Sequence, residues 1–371
     1  MRLPPKNARV LVAMSGGVDS AAAAARLVEA GCDCIGVTLR LVPEHPDKSV
    51  FEPCCGEEAA GDARRFCQRL GIPHRTFHAA ARFERDIIEP FINTYLAGRT
   101  PNPCIRCNRM IKFGALYQHA DKLGAKYIAL GHYVRLQERA GRMALRRAAY
   151  LEKDQSYVLA PLTQPQLRRA VFPLGDLDKE EARALAFRYD CATARKRDSQ
   201  EICFVPDRQH GEFIAARRGP LQPGPIVNRQ GQVLGAHKGL AHYTIGQRRG
   251  LGLAAPRPLY VLALDAANNT LVVGHKEDTF ARAFTTGPLC WGALPRQEAP
   301  FSCQVQLRAH HVPGPATVHS ARSGAEFTLH EPQRAVTPGQ WAVCYDTDGY
   351  VLAAAIIRLV TPEPASAGSV Q

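Results

Sequence analysis

Two groups of residues carry reactive types at telling spacing. The first is Cys104 and Cys107, three apart behind Pro101 and Pro103 in the stretch TPNPCIRCNR, with Cys203 farther along the chain. A thiolate is both a nucleophile and a soft metal ligand, so the pair reads as a redox couple, a metal clip or a sulfur-handling site. The prolines are expected to hold it out of a regular helix. The second group is Ser15-Gly16-Gly17-Val18-Asp19-Ser20. Its glycines permit a tight turn and close approach to a ligand, and the N–H groups of a helix start face an anion. Ser15 and Ser20 add hydroxyl donors. The Gly-Lys-Ser/Thr ending of a P-loop is absent.

The other cysteines need less explanation. A chain of 371 residues with 12 cysteines and no apolar run of membrane-spanning length does not read as a disulfide framework. Cys32, Cys34, Cys67, Cys191, Cys290, Cys303 and Cys344 sit in apolar patterns and are expected to be buried. Cys54 and Cys55 sit in a polar context, with a buried or spectator role as the default. The apolar stretch Val10 to Met14 is too short for a signal-peptide core, so a cytoplasmic protein with no membrane segment is expected. A net charge of +13, with arginine doublets at Arg64-Arg65, Arg146-Arg147, Arg168-Arg169, Arg217-Arg218 and Arg248-Arg249 and a denser run at Arg195-Lys196-Arg197, suits a polyanionic partner or a solvated surface.

These groups must be held by secondary structure, and the first 130 residues alternate strand and helix. Strands are predicted over 9–14, 34–39, 74–78 and 126–130. Helices are predicted over 19–30, 57–70 and 111–123, and over 82–97 with an interruption at Pro90. Such alternation implies a parallel sheet with helices on both faces. The glycine loop then follows the first strand and opens the first helix, and Gly131-His132 ends a strand at the ligand-binding edge. From about residue 206 proline and glycine multiply, and short strands with turn signals point to a small barrel or sandwich. The expected organisation is an α/β catalytic domain over 1–205, a small mixed adaptor domain over 206–282, a C-terminal β-barrel over 283–361, and a disordered tail over 362–371.

Here the chain resembles the tRNA-specific 2-thiouridylases (MnmA/TrmU) of the PP-loop ATP pyrophosphatases. The resemblance rests on Ala13 to Ser20, Gly98 to Pro103, Cys107-Asn108, Ile111-Lys112-Phe113, Gly131-His132-Tyr133, Lys153 to Tyr157, Asp198 to Phe204, Thr244 to Gly252 and Pro338-Gly339-Gln340, in family order over nearly the whole chain. It implies an adenine nucleotide alpha hydrolase-like fold, ATP with Mg²⁺, a tRNA anticodon loop as substrate, and a sulfur-donor protein or sulfide source. By the same resemblance, Ala13, Met14, Ser15, Gly16, Gly17, Val18, Asp19, Ser20, Leu39 and Gly131 bind ATP. Asn102, Pro103 and Cys104 face the target base, and His132, Lys153, Asp154, Gln155, Arg308, Ala309 and Gln340 contact tRNA. Cys203 carries a persulfide, and Cys107 is its catalytic partner.

Three positions depart from the family pattern, the first being Leu39, often methionine elsewhere, whose apolar side chain can still line an adenine pocket. Cys104 stands where many members carry aspartate, which puts acid–base catalysis there in question. Together, Cys104, Cys107 and Cys203 would suit a 4Fe–4S cluster with one open iron, alongside persulfide chemistry or a structural zinc. Ala309 replaces a common aromatic residue, leaving His310 or His311 to stack on a base. Two other readings are a PP-loop ligase or amidotransferase acting on a small carboxylate, and an ATP-responsive RNA-binding protein without catalysis.

Overall fold

The computed structural model describes residues 3–41, 56–189, 202–205 and 209–362. Cys54, Cys55, Cys191, the Arg195-Lys196-Arg197 run, most of the Asp198 to Phe204 motif and the tail from 363 onward lie outside the described residues.

Apolar β-branched runs dictate the central sheet. Strand β1 (Arg9–Ala13) buries Val10, Leu11 and Val12 completely, as a strand covered on both faces must. It pairs in parallel with β2 (Asp33–Arg40), which pairs with β3 (His74–His78). On its other side β1 pairs with β4 (Tyr127–Ala129). The antiparallel hairpin of β5 (Arg135–Arg139) and β6 (Arg142–Arg146) follows, and β7 (Ala170–Val171) completes the sheet beside β4. The order β3-β2-β1-β4-β7 reverses direction between β1 and β4, which opens a crevice at their carboxyl ends. Helix α1 (Val18–Glu29) covers the sheet with Ala21 to Ala25, all essentially buried, and helix α2 (Glu57–Arg69) packs beside it through Ala63 and Phe66.

The expected break at Pro90 is not a break. The helical path runs through Ala80–Phe83, a π-helical turn Glu84–Ile88, and Glu89–Leu96. Proline has no N–H for the Asp86 carbonyl one turn back, and the Arg106 Nε–H donates to that carbonyl instead. The cysteine pair also departs from expectation, because it lies in a helix, Pro103–Cys107. Pro103 occupies the first turn, where a missing N–H costs nothing. Asn102 caps the helix, its side chain accepting the Ile105 N–H at 3.2 Å. The path continues as a π-helical stretch Asn108–Ala115 and then Leu116–Lys122, so the helix expected from 111 begins at 103. A further helix, His210–Arg218, falls in the stretch expected to hold short strands and turns.

The middle of the chain forms a four-stranded sheet of β8 (Gly224–Val227), β9 (Val233–His237), β10 (Tyr260–Asp265) and β11 (Thr270–Gly274). The C-terminal part is a closed barrel. Strands β12 (Phe280–Thr286), β13 (Cys290–Trp291), β14 (Phe301–Gln306), β15 (Gly314–Ser320), β16 (Ala325–Arg334), β17 (Trp341–Tyr345) and β18 (Val351–Pro362) run in the order β12-β16-β15-β14-β17-β18, and β12 pairs back to β18. Closure removes the unpaired edges, and β13 extends one rim.

The barrel and the parallel-sheet domain share one hydrophobic core. Val343, Tyr345, Val351 and Ala354 of the barrel cluster with Leu11, Phe113, Leu130, Leu145 and Phe172. The β5–β6 hairpin rivets the joint: Arg142 donates to the carbonyls of Trp291 and Gly292, and Arg147 stacks over the Tyr345 ring at 4.1 Å. Tyr345 is 1% exposed, and its hydroxyl lies 2.9 Å from Ser156 Oγ. Replacing Tyr345 with alanine is expected to cost about 3–5 kcal/mol. Calorimetry should show both domains unfolding earlier in one transition; a shift confined to the barrel would contradict a shared core.

Candidate active site

The crevice between β1 and β4 is lined by the glycine loop. Gly16 has φ +74°, and a Cβ there would lie 2.4 Å from the Ala59 carbonyl oxygen at the start of α2. Gly17 is the N-cap of α1. The loop is braced internally: Ser20 Oγ donates to the Gly17 carbonyl at 2.8 Å and accepts the Ser15 N–H at 3.2 Å. Gly131, just beyond β4, presses against the same helix start. A Cβ on it would lie 2.6 Å from the Asp19 carbonyl carbon and 2.8 Å from the Ser20 nitrogen. Two glycines therefore let three backbone segments converge where α1 presents its N–H groups. Ala13 ends β1 and Met14 follows it, the Met14 N–H bonding the Val37 carbonyl of β2 at 2.8 Å. Leu39, near the end of β2, is half-buried on the same carboxyl edge.

Sequence reading missed two residues at this loop. Asp19 Oδ1 accepts the Tyr133 hydroxyl at 2.8 Å and the Lys179 ammonium at 2.7 Å. Lys179 opens the helix Lys179–Phe187 and is buried. The signal that could have found it is a lone lysine following the Asp178 N-cap and its Glu181 box partner, on an otherwise apolar helix face.

The sulfur residues occupy the neighbouring face. Cys107 is buried in an apolar cluster with Phe83, Phe91 and Ile111, and Cys203 packs against that same cluster. The fold thus sets two cysteines remote in sequence against one apolar cluster. Phe204 anchors the Cys203 turn, meeting Phe83 edge-on at 5.6 Å and Phe91 at 5.1 Å. Cys104 is exposed. Burial pushes the Cys34 and Cys67 thiols up to about 12, and raises Cys32, Cys290 and Cys344 as well, which makes them poor nucleophiles. Cys32 and Cys290 are only half-buried, against the expectation of full burial. Among the described residues no group of three or more His, Cys, Asp or Glu side chains is placed to hold a metal ion.

Of the other expected positions, several are committed within the protein. Gln155 Oε1 accepts the Tyr133 N–H at 3.0 Å, and Asp154 Oδ1 accepts the Ala148 N–H at 2.9 Å, so both shape the loop beside the site. Lys153 is half-exposed. Gln340 donates through Nε2 to the Thr100 and Pro101 carbonyls at 3.1 and 3.2 Å, latching the barrel onto the residues that lead into the cysteine helix. Arg308 donates to the Arg334 carbonyl at 3.1 Å, and Ala309 and His310 are exposed beside it. The His311 Nδ1 accepts the Leu307 N–H, which leaves His310 as the better presented imidazole.

His132 is buried, not a surface residue, and its Nδ1 finds no partner among the described residues. Burial and the nearby Lys112 charge hold its pKa well below the usual 6.5.

Family models match along the chain: a tRNA methyl transferase HUP domain over 8–207, a tRNA methyl transferase PRC-barrel domain over 211–275, and an aminomethyltransferase β-barrel domain over 281–357. Relatives matched over nearly their whole length include several named tRNA-specific 2-thiouridylase MnmA. The Moorella thermoacetica protein is 48% identical over 91% of this chain and 96% of its own length. Those of Chloroflexus aurantiacus and Symbiobacterium thermophilum are 47% and 44% identical over 91% and 93% of this chain, and 95% and 90% of their own lengths. The chain belongs to the tRNA-specific 2-thiouridylase family. Family membership fits the joined α/β, middle and barrel units, and it sets the glycine loop and the cysteine pair in one enzyme.

Two outcomes are expected. Gly131→Ala should cut ATP-dependent activity tenfold or more, because a methyl group must displace the Asp19 backbone; unchanged kinetics would show that the contact relaxes without consequence. The second concerns pH. An unfolded chain takes up a proton on His132 near pH 6.5 that the native state refuses, so stability is full above that pH and is lost as pH falls below it. His132→Asn should flatten the melting temperature between pH 6.5 and 4.5.

Proposed function

We propose that the protein is an ATP-dependent tRNA-uridine 2-sulfurtransferase that converts the wobble uridine to 2-thiouridine. The observation that carries this reading is that a braced nucleotide loop and the Cys107–Cys203 cluster sit on one domain, with the barrel latched to the segment between them. The uracil C2 oxygen attacks the α-phosphorus of ATP, an O–P bond forms, and pyrophosphate leaves. The α1 N–H groups and Ser15 hold the outer phosphates. Mg²⁺ would be held by Asp19 and those phosphates, which suits an ion that takes few protein ligands, and it would supply charge neutralisation.

A persulfide on Cys203, loaded by a sulfur-donor protein or sulfide source, then attacks C2. A C–S bond forms and AMP departs with the oxygen. Cys107 thiolate attacks Cys203 Sγ and expels 2-thiouridine. The resulting Cys107–Cys203 disulfide is reduced by an external dithiol. Asn102, Pro103, Cys104 and the neutral His132 border the base, and Cys104, exposed one turn before Cys107, serves as a spectator or redox partner. Lys153, Arg308, His310 and the basic Gly246–Gly252 segment contact RNA. A groove lined by Arg99 together with His319, Glu326 and Arg358 of the barrel would add phosphate contacts. The domain limits 1–205, 206–282 and 283–361 and a cytoplasmic location complete the reading.

The test is tRNA-dependent release of AMP with formation of 2-thiouridine, followed by mass spectrometry of digested RNA. Cys203→Ala and Cys107→Ser should each lower product at least a hundredfold while leaving ATP affinity intact. Release of AMP driven by a small carboxylate in place of tRNA would favour a ligase and overturn the reading. Protein purified without oxygen should contain less than one iron per chain; about four irons, lost in Cys104→Ala, would replace the persulfide route with a cluster.

A further inference from the structure

Three cysteines near one apolar cluster differ in depth. Cys104 is exposed, Cys203 is half-buried, and Cys107 is 9% exposed within the cluster of Phe83, Phe91 and Ile111. The reaction proposed above ends with a disulfide between Cys107 and Cys203, which must be opened before the next turnover. Thiol–disulfide exchange depends on which sulfur is attacked and on access to it. A protein dithiol has no approach to a sulfur buried in that cluster. Attack on the Cys203 side would leave the reductant bonded to the very sulfur that has to be loaded next.

Cys104 meets both difficulties. It lies three residues before Cys107 on the helix Pro103–Cys107. Helical residues so spaced have Cβ atoms about 5–6 Å apart, against about 3.5–4.5 Å across a disulfide, so a small tightening of the turn joins them. The turn is anchored at its start, where the Asn102 side chain accepts the Ile105 N–H at 3.2 Å, and Ile105 itself is buried between the two cysteines in sequence. An outer and an inner thiol on one anchored turn form the kind of pair that carries electrons between a buried centre and a partner at the surface.

We propose that Cys104 is the resolving thiol of the cycle. Its thiolate attacks Cys107 Sγ, a Cys104–Cys107 bond forms, the Cys107–Cys203 bond breaks, and Cys203 leaves as a thiolate ready for the next sulfur. No electrons are gained or lost in that exchange. They enter when an external dithiol opens the Cys104–Cys107 disulfide at its exposed sulfur, giving up two electrons and two protons and becoming a disulfide itself. The inference rests on the persulfide reading of Cys107 and Cys203 given above.

The test takes the enzyme through one round with ATP, tRNA and a single equivalent of persulfide donor, without reductant. The protein is then alkylated and its disulfides are mapped by peptide mass spectrometry. The unaltered chain should carry Cys104–Cys107 with Cys203 alkylated, and Cys104→Ser should carry Cys107–Cys203. In a second stage thioredoxin should restore a further round to the unaltered chain and act on Cys104→Ser at least tenfold more slowly, whereas concentrated dithiothreitol, a small dithiol, restores both. Persistence of Cys107–Cys203 in the unaltered chain would overturn the proposal, and so would equal reduction of both chains by thioredoxin. Should Cys104→Ser fail to fold, the disulfide map of the unaltered chain decides alone. If the unaltered chain forms no disulfide at Cys107 in any pairing, the persulfide reading itself falls, and the inference with it.

Discussion

The active region depends on backbone packed against backbone with no side chain between. Gly16 lies on the first residues of α2, and Gly131 lies on the first residues of α1. These contacts set the direction of α1 and of its N–H groups, and everything placed around the glycine turn inherits that direction. Ser20 adds the internal bonds that keep the turn from relaxing. Asp19, Tyr133 and Lys179 then arrange charge over a frame that is already rigid.

A second constraint ties the barrel to the chemistry. Gly339, at φ +94°, comes so close to Thr100 that a Cβ would lie 2.7 Å from its carbonyl oxygen. The Thr100 N–H donates to the Pro338 carbonyl at 2.9 Å, and Gln340 returns two bonds to the Thr100 and Pro101 carbonyls. Asn102 and Pro103 follow at once and start the cysteine helix. The barrel loop thus determines where that helix begins, and the apolar cluster around Phe91 and Phe204 determines where it faces.

Much of this was legible in the residues. Alternating apolar runs gave the parallel sheet, and the glycine loop after the first strand marked the crevice at the strand reversal. Local chemistry misled at two prolines. Pro103 reads as a helix breaker until Asn102 is recognised as its cap, and Pro90 reads as a break until a distant arginine is seen to satisfy the carbonyl it abandons. Lys179 is marked in the sequence only by its place in a capping box on an apolar helix face, and its meaning lies in a partner 160 positions away. Likewise, the roles of Asp154, Gln155 and Gln340 in holding the backbone emerge only when their hydrogen-bond partners are known.

The shared core has a mechanical consequence. Because Val343 and Tyr345 belong to the same apolar mass as Leu11 and Phe172, the barrel rim stands at a set distance from the thiols. Sliding the rim past the thiols would first have to tear that apolar mass apart, so the joint resists shear as a solid does.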